Sequence, residues 1–191
     1  NRWKHPAVGL LLVLMVGALH LLIGTTGSVV DALTDATAGL TTTALGAVTP
    51  DLADHGGRFL RAGSQWIGGL GALMVAVAVL PFFGAEREFA DRSRVHGRKP
   101  MAPNQRTAVR NILYVHGGVS LGTWAGYTLA GLGVFDALLV AMATSSTGGM
   151  VDGDPFTDPA VQWVAVVGMA VTGTSLVVLW RLVVGRSRGL F

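Results

Sequence analysis

The feature that most constrains this chain is a short apolar segment, Val134-Phe135-Asp136-Ala137-Leu138, running on to Ser146-Thr147-Gly148-Gly149-Met150. It is too short to cross a bilayer, it ends in hydroxyls and glycines, and an apolar run of membrane length lies on each side. It also has an earlier echo. A shift of 105 positions lays Val29-Val30-Asp31-Ala32-Leu33 through Thr42-Thr43-Ala44-Leu45 over it without a gap. Seven of 17 positions are then identical, more than an Ala-rich chain gives by chance. The sequence predicts a tandem repeat of span, half-helix with filter-like turn, then span.

Four uninterrupted apolar runs of about 20 residues are more than a soluble core needs. The composition agrees, with 51% hydrophobic and 13% charged residues and 27 glycines. Without cysteine, disulfides and thiolate metal sites are excluded, and the redox compartment stays open.

In chain order, a basic flank over residues 1–5 precedes a span over residues 6–24. A signal peptide shares that pattern, but this run is long for one and leads straight into the repeat, which favours a retained span. Ser28 opens the first half-helix, with Asp31 placed to complete a capping box, and the half-helix is expected to reach about Thr41. Residues 50–61 read as a polar loop and residues 62–83 as the second span. Residues 84–110 form the one long hydrophilic connection. The third span covers residues 111–132, the second half-helix residues 134–145, and the fourth span residues 160–180. Gln65-Trp66 and Gly71 recur as Gln162-Trp163 and Gly168, which extends the repeat into its second span. The expected fold is an all-α membrane protein of two span–pore-helix–span repeats, with four transmembrane helices and two re-entrant half-helices. Residues 1–83 form the first repeat, 84–110 a cytoplasmic basic loop, and 111–191 the second repeat.

Charge placement supports that topology. The segments assigned inside, both termini and residues 84–110, hold 12 Lys/Arg and 3 Asp/Glu. Those assigned outside hold 8 Asp with only Arg58 and Arg61, so the balances are +9 and −6 within a net +3. Basic residues gather on the cytoplasmic side because translocating them is unfavourable. This also accounts for a pI near 10 without nucleic acid as a partner. Both half-helices therefore enter and return from outside, in a plasma (inner) membrane with both termini cytoplasmic.

The C-terminal end of such a half-helix carries partial negative charge and points at the bilayer midplane. Irregular backbone at that depth survives only when buried in protein or lining a watery path. Thr42, Thr43 and Ala44, and their counterparts Thr147, Gly148 and Gly149, provide carbonyls, small side chains and hydroxyls without fixed charge. That is the equipment for replacing the water shell of a monovalent cation with dipoles, and these six residues are the expected ion-binding filter. The outer Asp residues would raise cation concentration at its mouth. The competing explanation is that small residues merely let helices pack closely, as in a non-transporting scaffold or assembly subunit.

Asp31-Ala32-Leu33, Leu40-Thr41-Thr42-Thr43-Ala44, Gln65-Trp66-Ile67-Gly68-Gly69-Leu70-Gly71 and Val79-Leu80-Pro81 resemble the first pore repeat of the Trk/Ktr/HKT potassium transporters. Phe135-Asp136-Ala137-Leu138 and Ser146-Thr147-Gly148-Gly149 resemble the second. The resemblance covers nearly the whole chain. It implies channel-like uptake of K⁺ or Na⁺ through four such loops, gated by cytosolic nucleotide-binding regulatory subunits, with no covalent cofactor. Ala44 stands where the family's first loop has its filter glycine, while Gly149 keeps it in the second. In plant relatives a serine at that first position goes with sodium preference. Two loops are half of the family's four, so the chain is expected to be a piece of a longer protein or to assemble with a second copy around one pore.

His20, inside the first span, is expected to be packed or water-contacting, since no second His lies at ligand spacing. Trp3, Trp66, Trp163 and Trp180 read as interfacial anchors. Gln65 and Gln162 are placed to line the outer vestibule or to hydrogen-bond a neighbouring helix. Gly117-Gly118 reads as close packing, and residues 92–99 as a positive-inside signal or a contact for anionic lipid or a regulator. No nucleophile elbow, phosphate-binding loop or paired intramembrane carboxylates support catalysis.

Overall fold

The computed structural model describes residues 4–23, 26–46, 51, 54–79 and 105–174. Six α-helices occur among them, with no strand: α1 (Lys4–Ile23), α2 (Val29–Leu40), α3 (His55–Val79), α4 (Gln105–Leu129), α5 (Val134–Ser145) and α6 (Pro159–Thr172). A 3-10 turn over Pro155–Thr157 leads into α6. Among the described residues no helix is long and apolar enough to cross a membrane. The apolar runs at 62–83 and 160–180 extend past those residues, as does most of the 84–110 loop.

The two short helices lie where the repeat puts them. Each has 12 residues, and their boundaries differ by the same 105 positions as the sequence match. Ser28 caps α2 by accepting a bond from the Asp31 N–H at 3.4 Å. No return bond from the Asp31 carboxylate completes the box among the described residues. Helix α4 stops in a Schellman motif, with Leu132 N–H on the Tyr127 carbonyl, Gly131 N–H on Thr128, and Gly131 at φ 102°. The chain then turns directly into α5.

Two helical stretches start earlier than the charge pattern suggested. Helix α3 begins at His55, so Arg58 and Arg61 are helical and buried rather than part of a polar loop. The Asp54 carboxylate accepts from Gly57 N–H at 2.9 Å and starts the helix there. Helix α4 begins at Gln105, inside the segment assigned to the basic loop.

Helix α3 is the shared element, packing against both α2 and α5. Its glycines make this possible. A Cβ on Gly68 would sit 2.3 Å from the Leu40 carbonyl oxygen, and one on Gly69 would sit 2.8 Å from Ser146 Cβ. On the second side, Tyr127, Ala137, Val140, Ala141, Val161 and Ala165 form a buried cluster between α4, α5 and α6. On the first side Ala32 and Ala36 of α2 are fully buried, and α1 packs over α2, with Leu33 against Gly17. The Gly117-Gly118 pair does not act as predicted: no atom of the described residues lies within 4 Å of a Cβ at either position.

Candidate functional site: two equivalent loops and the charges that hold them

Both half-helices end alike. Thr42 N–H donates to the Gly39 carbonyl and Thr43 N–H to Ala38, each at 3.0 Å. Thr147 N–H donates to Thr144 at 3.2 Å and Gly148 N–H to Ala143 at 3.1 Å. Each pair closes a Schellman motif whose left-handed position is a threonine, with φ 55° at both Thr42 and Thr147. Where α4 uses Gly131 for the same turn, these loops place a β-branched residue in a region that disfavours it. Positive φ returns two residues on, at Ala44 (58°) and Gly149 (74°). The backbone thereby leaves the extended alternation in which successive residues point opposite ways.

All six predicted filter residues fall in these two loops, and the loops meet. A Cβ on Gly149 would lie 3.8 Å from Ala44 Cβ. Ala44 is left-handed rather than extended, which alanine tolerates at roughly 1 kcal/mol. Its carbonyl accepts from Gly46 N–H at 3.0 Å, so the first loop closes on itself.

The second loop is held from outside. Gln65, fully buried on α3, donates from Nε2 to the Met150 carbonyl and accepts at Oε1 from Met150 N–H, both at 2.9 Å. Of the two roles open to Gln65, it takes the hydrogen-bonding one, on a loop rather than a helix. Gln162 bonds the Phe156 carbonyl at 2.7 Å on an exposed surface.

A charge cluster, missed in the sequence, lies behind both loops. Arg61 pairs with Asp35 at 3.0 Å and hydrogen-bonds Asp152. Arg58 meets Asp136 at 2.5 Å and lies 5.6 Å from the Phe135 ring centroid, where the ring face attracts a cation. Burial pushes the Asp152 carboxyl above the usual carboxylate range, while Arg61 and Arg58 pull it down and Asp35 pushes it up. Asp35 and Asp152 are buried against Arg61, while Asp136 meets Arg58 from a position about half exposed. His20 is fully buried with Asp35 and Arg61 in its electrostatic surroundings, in keeping with the packed expectation. The missed signal was spacing. Arg58, Arg61, Gln65 and Gly68 follow one another by three, four and three residues, a single stripe on α3.

Trp66 is no interfacial anchor. Its Nε1 donates to Ser120 Oγ at 2.8 Å, and its ring lies 5.1 Å from that of His116. Trp163 is largely exposed, and Trp3 and Trp180 lie outside the described residues. No group of three or more metal-ligating side chains occurs among the described residues.

The chain is 27% identical over 182 residues to the Trk system potassium uptake protein TrkH of Escherichia coli strain K12, covering 90% of this chain. These relatives are potassium uptake proteins, not enzymes. TrkI of Halomonas elongata is 33% identical over 106 residues, 54% of this chain and 21% of its own length. TrkG of Escherichia coli K12 is 31% identical over 125 residues, 63% of this chain and 26% of its own. The chain spans 38% of the length of the TrkH it matches. No protein-family model matches the chain.

Proposed function

We propose that this chain forms part of the pore of a monovalent cation uptake protein, with K⁺ as the favoured ion and Na⁺ the competitor. Thr42, Thr43 and Ala44 on one side and Thr147, Gly148 and Gly149 on the other would replace the ion's water with backbone carbonyls and hydroxyls. The observation that carries this reading is the duplicated loop. Two turns 105 residues apart share their hydrogen bonds and left-handed positions, and they sit against each other at the ends of two half-helices. Backbone strain repeated at equivalent places is what a functional constraint leaves behind.

A bilayer setting is supported by the sequence's charge segregation and by apolar side chains left exposed on α1, such as Leu11, Met15 and Leu22. Residues 84–110 and both termini would face the cytoplasm, where nucleotide-binding regulatory subunits would act. Two loops surround half an ion, so a further half, from the same protein or a second copy, would complete the filter.

The test is relative K⁺ and Na⁺ flux through the assembled pore in liposomes. Gly149→Val should abolish flux without unfolding the protein, because a β-branched residue resists φ 74°. Ala44→Gly should relieve the first loop and shift selectivity toward K⁺. A scaffold predicts neither effect. Undiminished flux in the first variant together with unchanged selectivity in the second would refute the filter.

A further inference from the structure

We propose that Gln65 is a positioning residue that sets the ion preference of the second loop from the first repeat. The proposal rests on the filter reading above. In a trans peptide the N–H and the preceding carbonyl point opposite ways in one plane. Met150 N–H is directed at the buried Gln65 Oε1, so the Gly149 carbonyl in the same plane is turned away from α3, to the open side of the loop. The second bond, from Gln65 Nε2 to the Met150 carbonyl, fixes the next peptide as well. One side chain thus locks two consecutive planes just beyond Thr147-Gly148-Gly149.

The loop is built to receive that amide. Gly148 has no left-handed backbone to explain it, yet a Cβ there would lie 2.3 Å from Gln65 Oε1. Its glycine answers to the clamp rather than to a turn. The clamp's own base is rigid: Gly69 brings α3 onto Ser146, immediately before the loop, and the Arg61 pairs with Asp35 and Asp152 lie one turn away. Among the described residues the first loop shows no such clamp, and its Ala44 carbonyl is engaged by Gly46 within the loop itself. The two loops share their left-handed positions but not their supports: the Ala44 carbonyl is taken up inside its own loop, and the Gly149 carbonyl is turned by the clamp.

K⁺ and Na⁺ flux through the assembled pore in liposomes would be measured across acid to neutral pH for wild type, Gln65→Met and Gln65→Glu. Methionine keeps the volume and loses both bonds, and the K⁺/Na⁺ flux ratio should fall about tenfold, the scale of two lost buried hydrogen bonds. At neutral pH a glutamate still accepts from Met150 N–H but cannot donate to its carbonyl, so it should show a similar loss. On acidification its carboxyl regains a donor and the ratio should recover. Wild type and Gln65→Met record any contribution from the nearby His20, Asp35 and Asp152. A purely structural role would lower both fluxes together and leave the ratio alone. A wild-type ratio in Gln65→Met, with Gly149→Val still blocking flux, would overturn the clamp and spare the filter. If neither variant changes anything, both readings fall. If Gln65→Met does not assemble, a Gln65→Glu ratio that stays low at every pH would overturn the proposal.

Discussion

Removing Arg61 should be among the most damaging single changes in the described residues, and the size of the effect follows from burial. Its side chain is 8% exposed, against 0% for Asp35 and 9% for Asp152. Arg61→Met leaves two buried carboxylates facing each other without their shared cation. Breaking one buried pair costs about 3–5 kcal/mol, whereas an exposed pair costs well under about 1 kcal/mol. In a chain of this size each kcal/mol moves the melting temperature by about 2–4 °C, so the drop should be about 6–20 °C. The pH dependence has a definite sign. Burial already holds the Asp152 carboxyl above its unfolded range, and losing Arg61 removes the larger of its two opposing attractions. A raised folded-state pKa means that the native state holds the proton more tightly, so stability falls as pH rises through it. The Arg61→Met deficit should therefore be largest at neutral pH and shrink toward acid. Adding Asp35→Asn and Asp152→Asn should recover most of it, because a neutral buried set needs no cation. Thermal melts in detergent across pH measure all of this. A loss below about 1 kcal/mol, or one flat with pH, would show that the cluster is solvated and the reasoning wrong.

Glycine positions on α3 and α4 should divide sharply. Gly68→Ala must push the Leu40 backbone carbonyl from 2.3 Å and should destabilise by at least about 1–3 kcal/mol, while Gly118→Ala meets nothing and should gain up to about 1 kcal/mol in helix propensity, both read by thermal melts. Topology can be checked with cysteines at Ser93 and Thr49 and an impermeant reagent. Labelling from opposite faces is expected, and labelling of both from one face would end the two-repeat topology.

The half-helices were legible because their signals are local: a 12-residue apolar segment and the hydroxyls that end it, both twice, with a capping serine at the first. The loops were legible as places but not as conformations, since nothing in Thr42 or Thr147 announces a left-handed β-branched residue. The start of α3 is hidden in the sequence because arginine ordinarily marks solvent, whereas Arg58 and Arg61 are buried. Their partners, Asp35, Asp136 and Asp152, are 26, 78 and 91 residues from Arg61 or Arg58, beyond any local pattern. Gly117-Gly118 failed for the opposite reason, as a composition that suggests contact without saying on which face.

Helix α3 also says something about ancestry. Shifted by 97 positions, its Arg58, Arg61, Gly68 and Gly69 fall on Pro155, Asp158, Ala165 and Val166. Gln65, Trp66 and Gly71 keep their identity there, but Gln162 bonds its own neighbourhood at Phe156 rather than another repeat. A duplicated unit whose joint is made by one copy can no longer drift as two equals. The glycines that admit α3 to the second loop and the arginines that brace it constrain the first copy alone, while Ala165 and Val166 stand at the matching places of the second.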